Sequence, residues 1–348
     1  MIVGSDKGES VMKRCDITAV VVTYNRKELL MECLEALEKQ KASPGTVAKL
    51  VGLREAEPPR HEPHRAELTI GGGFHFHVLV VDNASTDGTE EWIRPYVERH
   101  AKQVSYLRLD ENLGGAGGFV RGMKTALSRD TDYIWIMDDD TIPQNHALER
   151  LLETIIFLQD KEQPFGFLSS EALWTDQTPC KMNLQTPVKV RDEARKKRLE
   201  EAHLEAISGA TFVSLLIPAK NLRKYGLPLA DYFIWGDDKE FTLRLSDALP
   251  CYKVRDSIVI HKTKNNSGSN IAEDDLERIH RYYYAYRNDL ATAKKRGAKE
   301  VLIYELAYGL NTLRVIFGRS DGKGKRLAVM RQGRKDGKNF SPEVEFPE

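Results

Sequence analysis

Three consecutive carboxylates, Asp138-Asp139-Asp140, follow directly on the apolar run Tyr133-Ile134-Trp135-Ile136-Met137. A run so rich in isoleucine and aromatics predicts a buried strand, with the acids at its end. Like charges packed there repel and raise one another's proton affinity unless a cation neutralises them. Mg2+ or Mn2+ meets that need, because hard cations prefer carboxylate oxygens, and such an ion commonly brings phosphate with it. The alternative is a polar strand end followed by a helix starting at Thr141-Ile142-Pro143. A second acidic pair, Asp237-Asp238, lies in Phe233-Ile234-Trp235-Gly236-Asp237-Asp238-Lys239-Glu240-Phe241. Apolar surroundings raise a carboxylate's proton affinity and suit it to general-base work. An exposed helix start with acidic first-turn residues accounts for the same letters. His261 ends the run Ile258-Val259-Ile260 and could complete an Asp/Asp/His set around a metal, although a lone histidine is more often a satisfied polar residue.

The elements that would carry these groups alternate. Asp16–Val22 reads as a strand ending in Thr23-Tyr24-Asn25-Arg26, and Val78–Val81 as a second, closed by Asp82-Asn83-Ala84-Ser85-Thr86-Asp87-Gly88. Val104–Leu109 is a third strand, and the run before Asp138 a fourth. Helices are predicted over Glu28–Lys39, Thr89–Arg99 and Phe119–Leu127. Such alternation implies an α/β domain with a mostly parallel sheet, in which ligands collect at the carboxyl ends of strands. Thr23, Tyr24, Asn25 and Arg26 offer a hydroxyl, an aromatic plane, an amide and a guanidinium, suited to a base and a diphosphate. Asp82 could accept a hydrogen bond from a base N–H. Ordinary turn chemistry explains either cluster taken alone. Asn112-Leu113-Gly114-Gly115-Ala116-Gly117-Gly118 precedes a helix, where glycines admit a ligand closely. Its spacing departs from Gly-x-Gly-x-x-Gly, so a donor-sugar pocket is expected in preference to a dinucleotide site.

The 348 residues are 41% hydrophobic and 30% charged, which predicts a globular chain with a sizeable core. Lysine plus arginine balance aspartate plus glutamate at 52 each, giving no argument for nucleic acid as a partner. Cys15, Cys33, Cys180 and Cys251 are scattered, without zinc or disulfide spacing, which points to a reducing cytoplasm. Met1–Lys13 lacks the apolar core of a signal peptide, and no apolar stretch is long enough to span a bilayer. A cytoplasmic protein is expected, with peripheral contact on the inner membrane face open to it. Lys41–His77, rich in proline and glycine, reads as a surface insertion. Its His61, His64, His75 and His77 form the weaker reading of a metal cluster. Arg191–Glu205 reads as a charged helix, solvated or covering the site.

Beyond His261, Lys262–Asn270 reads as a polar lid. Arg278–Lys295 is predicted helical and carries Tyr282, Tyr283, Tyr284, Tyr286 and Arg287, suited to stacking on sugar or to packing. Val301–Phe317 is largely apolar, and the tail after it is basic. That pairing suits contact with an anionic membrane, and packing followed by a disordered tail suits it equally.

In their order and spacing the segments AVVVTYNR, VVDNASTDGT, NLGGAGGF, DDD, WGDDKEF, IVIH and YYYAYRNDL resemble the nucleotide-sugar glycosyltransferases of family 2, which have the GT-A fold. The resemblance runs from Ile17 to about Leu290 and looks most like the galactofuranosyltransferase branch and its rhamnosyltransferase-like neighbours. It implies a tail over residues 1–15, a GT-A domain over 16–262, a C-terminal lid and helical extension over 263–317, and a basic tail over 318–348. It also implies an inverting hexosyltransferase that uses a nucleotide-diphosphate sugar and a glycan or lipid-linked acceptor. Asp82 and Thr23–Arg26 would hold the nucleotide, with Asn112, Gly114 and Gly115 on the donor side. Asp138, Asp140 and His261 would hold the metal, and Asp139 would lie against ribose or donor sugar. Asp238, favoured over Asp237, would be the base, with Trp235 and Gly209 beside the acceptor. Two features depart from the family. Gly236 separates Trp235 from the acidic pair, and the Lys41–His77 insertion replaces a short link. The alternatives are nucleotidyl transfer that makes a sugar nucleotide, and a glycan- or nucleotide-binding module without turnover. The first would need a Gly/Lys-rich phosphate loop near the first strand, which Thr23–Arg26 does not supply.

Overall fold

The computed structural model describes residues 14–52, 73–183 and 185–347. Four parallel strands form its first half: β1 (Cys15–Thr23), β2 (Phe74–Asp82), β3 (Val104–Arg108) and β4 (Tyr133–Asp138). Their spatial order is β3-β2-β1-β4. The chain therefore steps away from β1 twice and then returns to its other side. That reversal opens a crevice at the carboxyl ends of β1 and β4, the usual ligand position in such sheets. Val22 sits opposite Asp138, so Thr23 and the acidic run share that crevice.

Both faces of these strands are covered, which is why they read as continuous apolar runs. Ile17, Ala19 and Val21 of β1 point to the face shared with α1 (Lys27–Glu38), α2 (Pro44–Gly52) and α5 (Ala147–Asp160). Val20 and Val22 point to the opposite face and meet Phe119, Val120 and Met123 of α4 (Gly114–Leu127). The alternation follows the two-residue period of a strand. Between β2 and β3 runs α3 (Thr89–Arg99), as the periodicity predicts.

The second half makes the sheet mixed. β5 (Thr141–Pro143), β6 (Leu168–Leu173), β7 (Thr186–Pro187), β8 (Leu204–Gly209), β9 (Leu215–Pro218) and β10 (Cys251–His261) extend it to ten strands. Most of their pairings are antiparallel, the β6–β10 pair being parallel. The helices of this half are α6 (Glu193–Glu201), α7 (Ala219–Tyr225) and α8 (Asp237–Ala248). A closing layer of α9 (Arg281–Arg296), α10 (Ala298–Phe317) and α11 (Lys323–Gly337) has its own core of Tyr282, Tyr286, Leu290, Tyr304, Val315 and Met330.

Several sequence expectations change. β2 begins at Phe74 and α2 occupies Pro44–Gly52, so part of the expected insertion is ordinary structure. His61 and His64 lie outside the described residues. His75 pairs with Asp16 at 3.6 Å and His77 bonds Ser105 at 2.8 Å, both along β2. α4 starts at Gly114, not Phe119, so the glycine run is the first turn of a helix. Thr141–Pro143 is a strand, not a helix start, because it finds a partner in the end of β10. Arg191–Glu205 divides into α6 and the start of β8. The basic tail is not disordered: α11 packs on α9, and its buried Arg326 donates to the carbonyls of Ile271 and Asp274 at 2.6 and 2.8 Å.

Candidate active site

The pairing of β5 with β10 assembles the acidic centre. Thr141 stands opposite His261, so the strand register delivers the imidazole onto Asp140. Potential ligand atoms of Asp138, Asp140 and His261 all lie within 4.8 Å of one another. His261 Nε2 is 3.2 Å from Asp140 Oδ1, close enough for an ion pair. The contact is not directed as a hydrogen bond, and Asp140 Oδ1 is buried without a hydrogen-bond partner. Nδ1 of the same ring faces Asn183 Oδ1 at 2.8 Å and Cys180 Sγ at 3.5 Å. Two carboxylates and one imidazole, with an orphaned carboxylate oxygen among them, fit a divalent cation.

The electrostatics agree. Burial, then the charge of Asp140, pushes Asp138 up to about 7. Burial pushes Asp139 up to about 6 against the opposing pull of Arg26. Burial would raise Asp140 too, but the adjacent His261 imidazole and Arg26 hold it below the ordinary carboxylate range. His261 is pushed up to about 10; burial opposes this, and Asp140 and Cys180 outweigh it. Without a metal, the trio balances its charge by keeping a proton on the imidazole.

The turn after β1 is largely spoken for by its neighbours. The Thr23 hydroxyl donates to Asp139 Oδ2 at 2.7 Å. Arg26 Nη1 bridges Asp139 Oδ1 at 3.1 Å and Asp140 Oδ2 at 2.6 Å. Burial alone would lower its pKa, and the charges of Asp139, Asp140 and Asp138 reverse that. Asn25 clips two loops together, its backbone N–H donating to Ser85 Oγ and its side-chain Oδ1 accepting from Thr86 N. Tyr24 is exposed. Asp82, fully buried, accepts from Ser85 N at 2.8 Å, the Tyr106 hydroxyl at 2.5 Å and Arg108 Nη1 at 3.1 Å. Asn112 Oδ1 accepts from Gly114 N at 2.8 Å. Gly114 has φ +72°, and a Cβ there would sit 2.1 Å from the Phe233 carbonyl oxygen. That glycine holds α4 against the Phe233–Trp235 segment. Gly115 next to it faces open space.

The same segment presents the second acidic pair. Phe233, Trp235 and Gly236 all have positive φ, and the chain then enters α8 at Asp237-Asp238. Buried Asn288 holds this unusual backbone, its Nδ2 donating to the carbonyls of Tyr232, Ile234 and Trp235 at 2.9, 3.2 and 2.7 Å. Trp235 meets Tyr282 edge to face at 4.9 Å, which joins the α9 layer to the site. Asp237 is buried, and burial followed by Asp238 and Asp138 raises it well above the carboxylate range. Asp238 is half-buried and is pushed up to about 6, chiefly by burial. Gly209 lies behind α8: a Cβ would be 3.1 Å from Thr186 Oγ1, and the neighbouring Thr242 hydroxyl donates to the Asp238 carbonyl at 2.7 Å. It is a buried position in close contact with Thr186.

Five residues of this centre carry no signal of their own in the sequence. Asn183, Cys180, Asn288 and Arg108 act through partners distant along the chain. Arg281, at the start of α9, is lowered by burial and by Arg278 and Arg26, which brings the closing layer into electrostatic reach of the centre. Asn288 was the easiest of them to single out in the sequence, an amide between Arg287 and Asp289 just after four tyrosines.

Comparison with known proteins agrees with this architecture. Residues 64–160 match the family model described as glycosyl transferase family 2. The chain is 27% identical over 336 residues to the galactofuranosyltransferase GlfT1 of Mycobacterium tuberculosis, covering 92% of this chain and 96% of that protein. Its fold is similar to the mannosyltransferase PcManGT from Pyrobaculum calidifontis in complex with GDP-Man and Mn2+ (TM-score 0.50, 18% identity, 93% of this chain and 84% of that one). It is also similar to GalNAc-T7 with UDP, GalNAc and Mn2+ (TM-score 0.53, 12% identity, 94% and 55%). With strands β1 to β4 parallel and opening at the ends of β1 and β4, the chain has a GT-A-like fold, carries a family 2 glycosyl transferase match over residues 64–160, and is similar along nearly its whole length to a galactofuranosyltransferase.

Proposed function

We propose that the protein is a metal-dependent, inverting glycosyltransferase that moves a sugar from a nucleotide-diphosphate donor to a hydroxyl of a cell-surface or lipid-linked glycan. The observation that carries the reading is the meeting of potential ligand atoms of Asp138, Asp140 and His261 within 4.8 Å, with Asp140 Oδ1 buried without a hydrogen-bond partner, beside a second acidic pair. Asp138, Asp140 and His261 would hold Mn2+ or Mg2+, which supplies positive charge to offset that of a departing nucleotide diphosphate. Thr23 and Arg26 fix Asp139 and Asp140 in place. In the acidic pair the two proton affinities are pushed apart, a pattern that separates acid and base roles. Burial and the neighbouring charge of Asp238 raise the proton affinity of Asp237 well above the ordinary carboxylate range. Asp238, lower and partly open to solvent, is the base that takes the acceptor hydroxyl proton as its oxygen attacks the anomeric carbon. The bond to the diphosphate breaks on the opposite side, and the anomeric configuration inverts.

Likeness to GlfT1 across nearly the whole chain supports galactofuranose as the first donor sugar, with rhamnose second. Peripheral contact with a membrane belongs to the proposal, since a lipid-linked acceptor is met there. The test is thermal shift and calorimetry with uridine, thymidine and guanosine diphosphonucleotides and their sugars, with and without Mn2+, followed by transfer from the binding donor. Metal-dependent stabilisation by one nucleotide family and transfer of its sugar is the expected result. A folded protein that none of them stabilises would remove the catalytic reading.

A further inference from the structure

Seven large apolar side chains are exposed on α10: Leu302, Ile303, Leu306, Leu310, Leu313, Ile316 and Phe317, each between 43% and 81% accessible. Only four other large hydrophobics are exposed among the described residues, and those are scattered. The inner face of the helix is packed, with Val315 buried and the Tyr304 hydroxyl donating to the Tyr286 carbonyl of α9 at 3.0 Å. The outer face is a continuous stripe, because residues three and four apart stack along one side of a helix. A stripe of this size on an isolated chain marks an interaction surface.

Charge identifies what covers it. Lys299 is exposed at the start of the helix, and Arg314, Arg319, Lys323 and Lys325 are exposed at and beyond its end. Asp321 is the one exposed acid between Lys299 and Lys325, and it is engaged by Arg326. Glu305 is turned inward to Arg334 at 3.0 Å. At the start of the helix Lys294, Lys295, Arg296 and Lys299 are exposed against the half-buried Glu300, so both ends of the stripe are net basic and a second copy, in either orientation, would bring cation against cation. An anionic lipid surface reverses that penalty into attraction. The helix is about 30 Å long at 1.5 Å per residue, yet no helix among the described residues is long and apolar enough to cross a membrane. An apolar face with basic ends and no capacity to span is the pattern of a helix lying in the membrane interface.

We infer that α10 docks the protein on an anionic bilayer, its apolar stripe in the acyl boundary and its basic ends at the headgroups. This deepens the membrane contact proposed above and moves it from the basic tail, whose α11 is packed on α9. Because α10 also packs on α9, which carries Tyr282 against Trp235, docking would hold the site beside the lipid surface.

The experiment is flotation of the full chain with vesicles of phosphatidylcholine alone and of an equal mixture of phosphatidylcholine and phosphatidylglycerol, alongside light scattering. The wild type should bind the mixed vesicles and only weakly the neutral ones. Leu306→Glu with Leu310→Glu, both exposed sites, should lower binding about tenfold or more. Arg319→Gln and Lys325→Gln should each lower it about fivefold on the mixed vesicles alone. Equal binding by wild type and the double leucine variant would overturn the inference. So would a wild type that ignores vesicles, whether as a monomer or as a dimer that the leucine variants split. Mn2+-dependent nucleotide binding, followed in the same samples, reads the catalytic proposal separately, so either can fail without the other.

Discussion

The Nδ1 of His261 meets the side-chain oxygen of Asn183 across 2.8 Å. A carbonyl oxygen can only accept, so Nδ1 carries the proton and Nε2 is turned towards Asp140. Partners of this kind set the tautomer and orientation of a metal-binding histidine. Asn183→Leu should weaken Mn2+ binding about 10- to 100-fold, with the fold and metal-free nucleotide contacts kept. Calorimetric titration with Mn2+ checks it, and an unchanged affinity would remove Asn183 from this role.

On the proposed ligand set, proton and metal compete at the same trio. His261 is pushed up to about 10 and Asp138 to about 7, so metal entry must displace protons. Apparent Mn2+ affinity should therefore rise by about tenfold per pH unit for each proton displaced, between pH 6 and 8. Titrations at several pH values in non-chelating buffer measure the slope, and a flat profile would contradict the assigned ligands.

The same shifts predict a stability profile. Asp138, Asp139 and Asp238 have folded-state values raised to about 7, 6 and 6. Each stabilising contribution is complete below the unfolded carboxylate value of about 4 and is lost as pH rises through the folded one. His261 acts in the same direction, its contribution complete below its unfolded value and lost as pH approaches 10. Metal-free protein should lose melting temperature between about pH 4 and 7 through these groups, and Mn2+ should restore it at the upper end. Differential scanning calorimetry with and without Mn2+ makes the comparison.

Asp238→Asn keeps the shape and removes the proposed base. We expect kcat to fall by about 10²- to 10⁴-fold with donor binding retained. For the wild type, kcat should fall on the acid side with a midpoint near pH 6, where Asp238 takes up its proton. Asp237→Asn removes a buried carboxyl whose proton affinity is raised, and should keep more of the activity than Asp238→Asn. Steady-state kinetics of both variants separate the two carboxylates, and the opposite ranking would assign the base to Asp237.

Gly114 tests how the site is braced. Its φ of +72° and the 2.1 Å approach of the Phe233 carbonyl to a Cβ leave no room for a side chain. Gly114→Ala should cost about 2 to 4 kcal/mol of stability and loosen the Trp235–Asp238 segment. Chemical denaturation and near-ultraviolet circular dichroism report the two effects.

Local chemistry made much of this protein legible. The apolar runs of β1 and β4 declare buried strands because both faces of the sheet are covered, and the acids at the end of β4 declare a candidate cation site because like charges cannot stand together unrelieved. The Trp235–Asp238 segment stood out as acid in apolar company, and Val301–Phe317 as an apolar helix before a basic run. Pairing was not legible. Thr141–Pro143 reads as a helix start until β10 lies beside it, and its register is what carries His261 to Asp140. Asn183, Cys180 and Asn288 matter through partners whose separation in sequence no periodicity encodes. The glycine run suggested a ligand loop, but at Gly114 it serves a backbone approach that only the packed structure reveals. Whether the tail or α10 faces outward was likewise a question of packing: α11 buries Arg326 and Met330, which leaves the stripe of α10 uncovered. Residue types determine which chemistry a chain can do, since charge and polarity are local properties. The tertiary structure decides where that chemistry is assembled, because register and helix packing depend on all the partners at once.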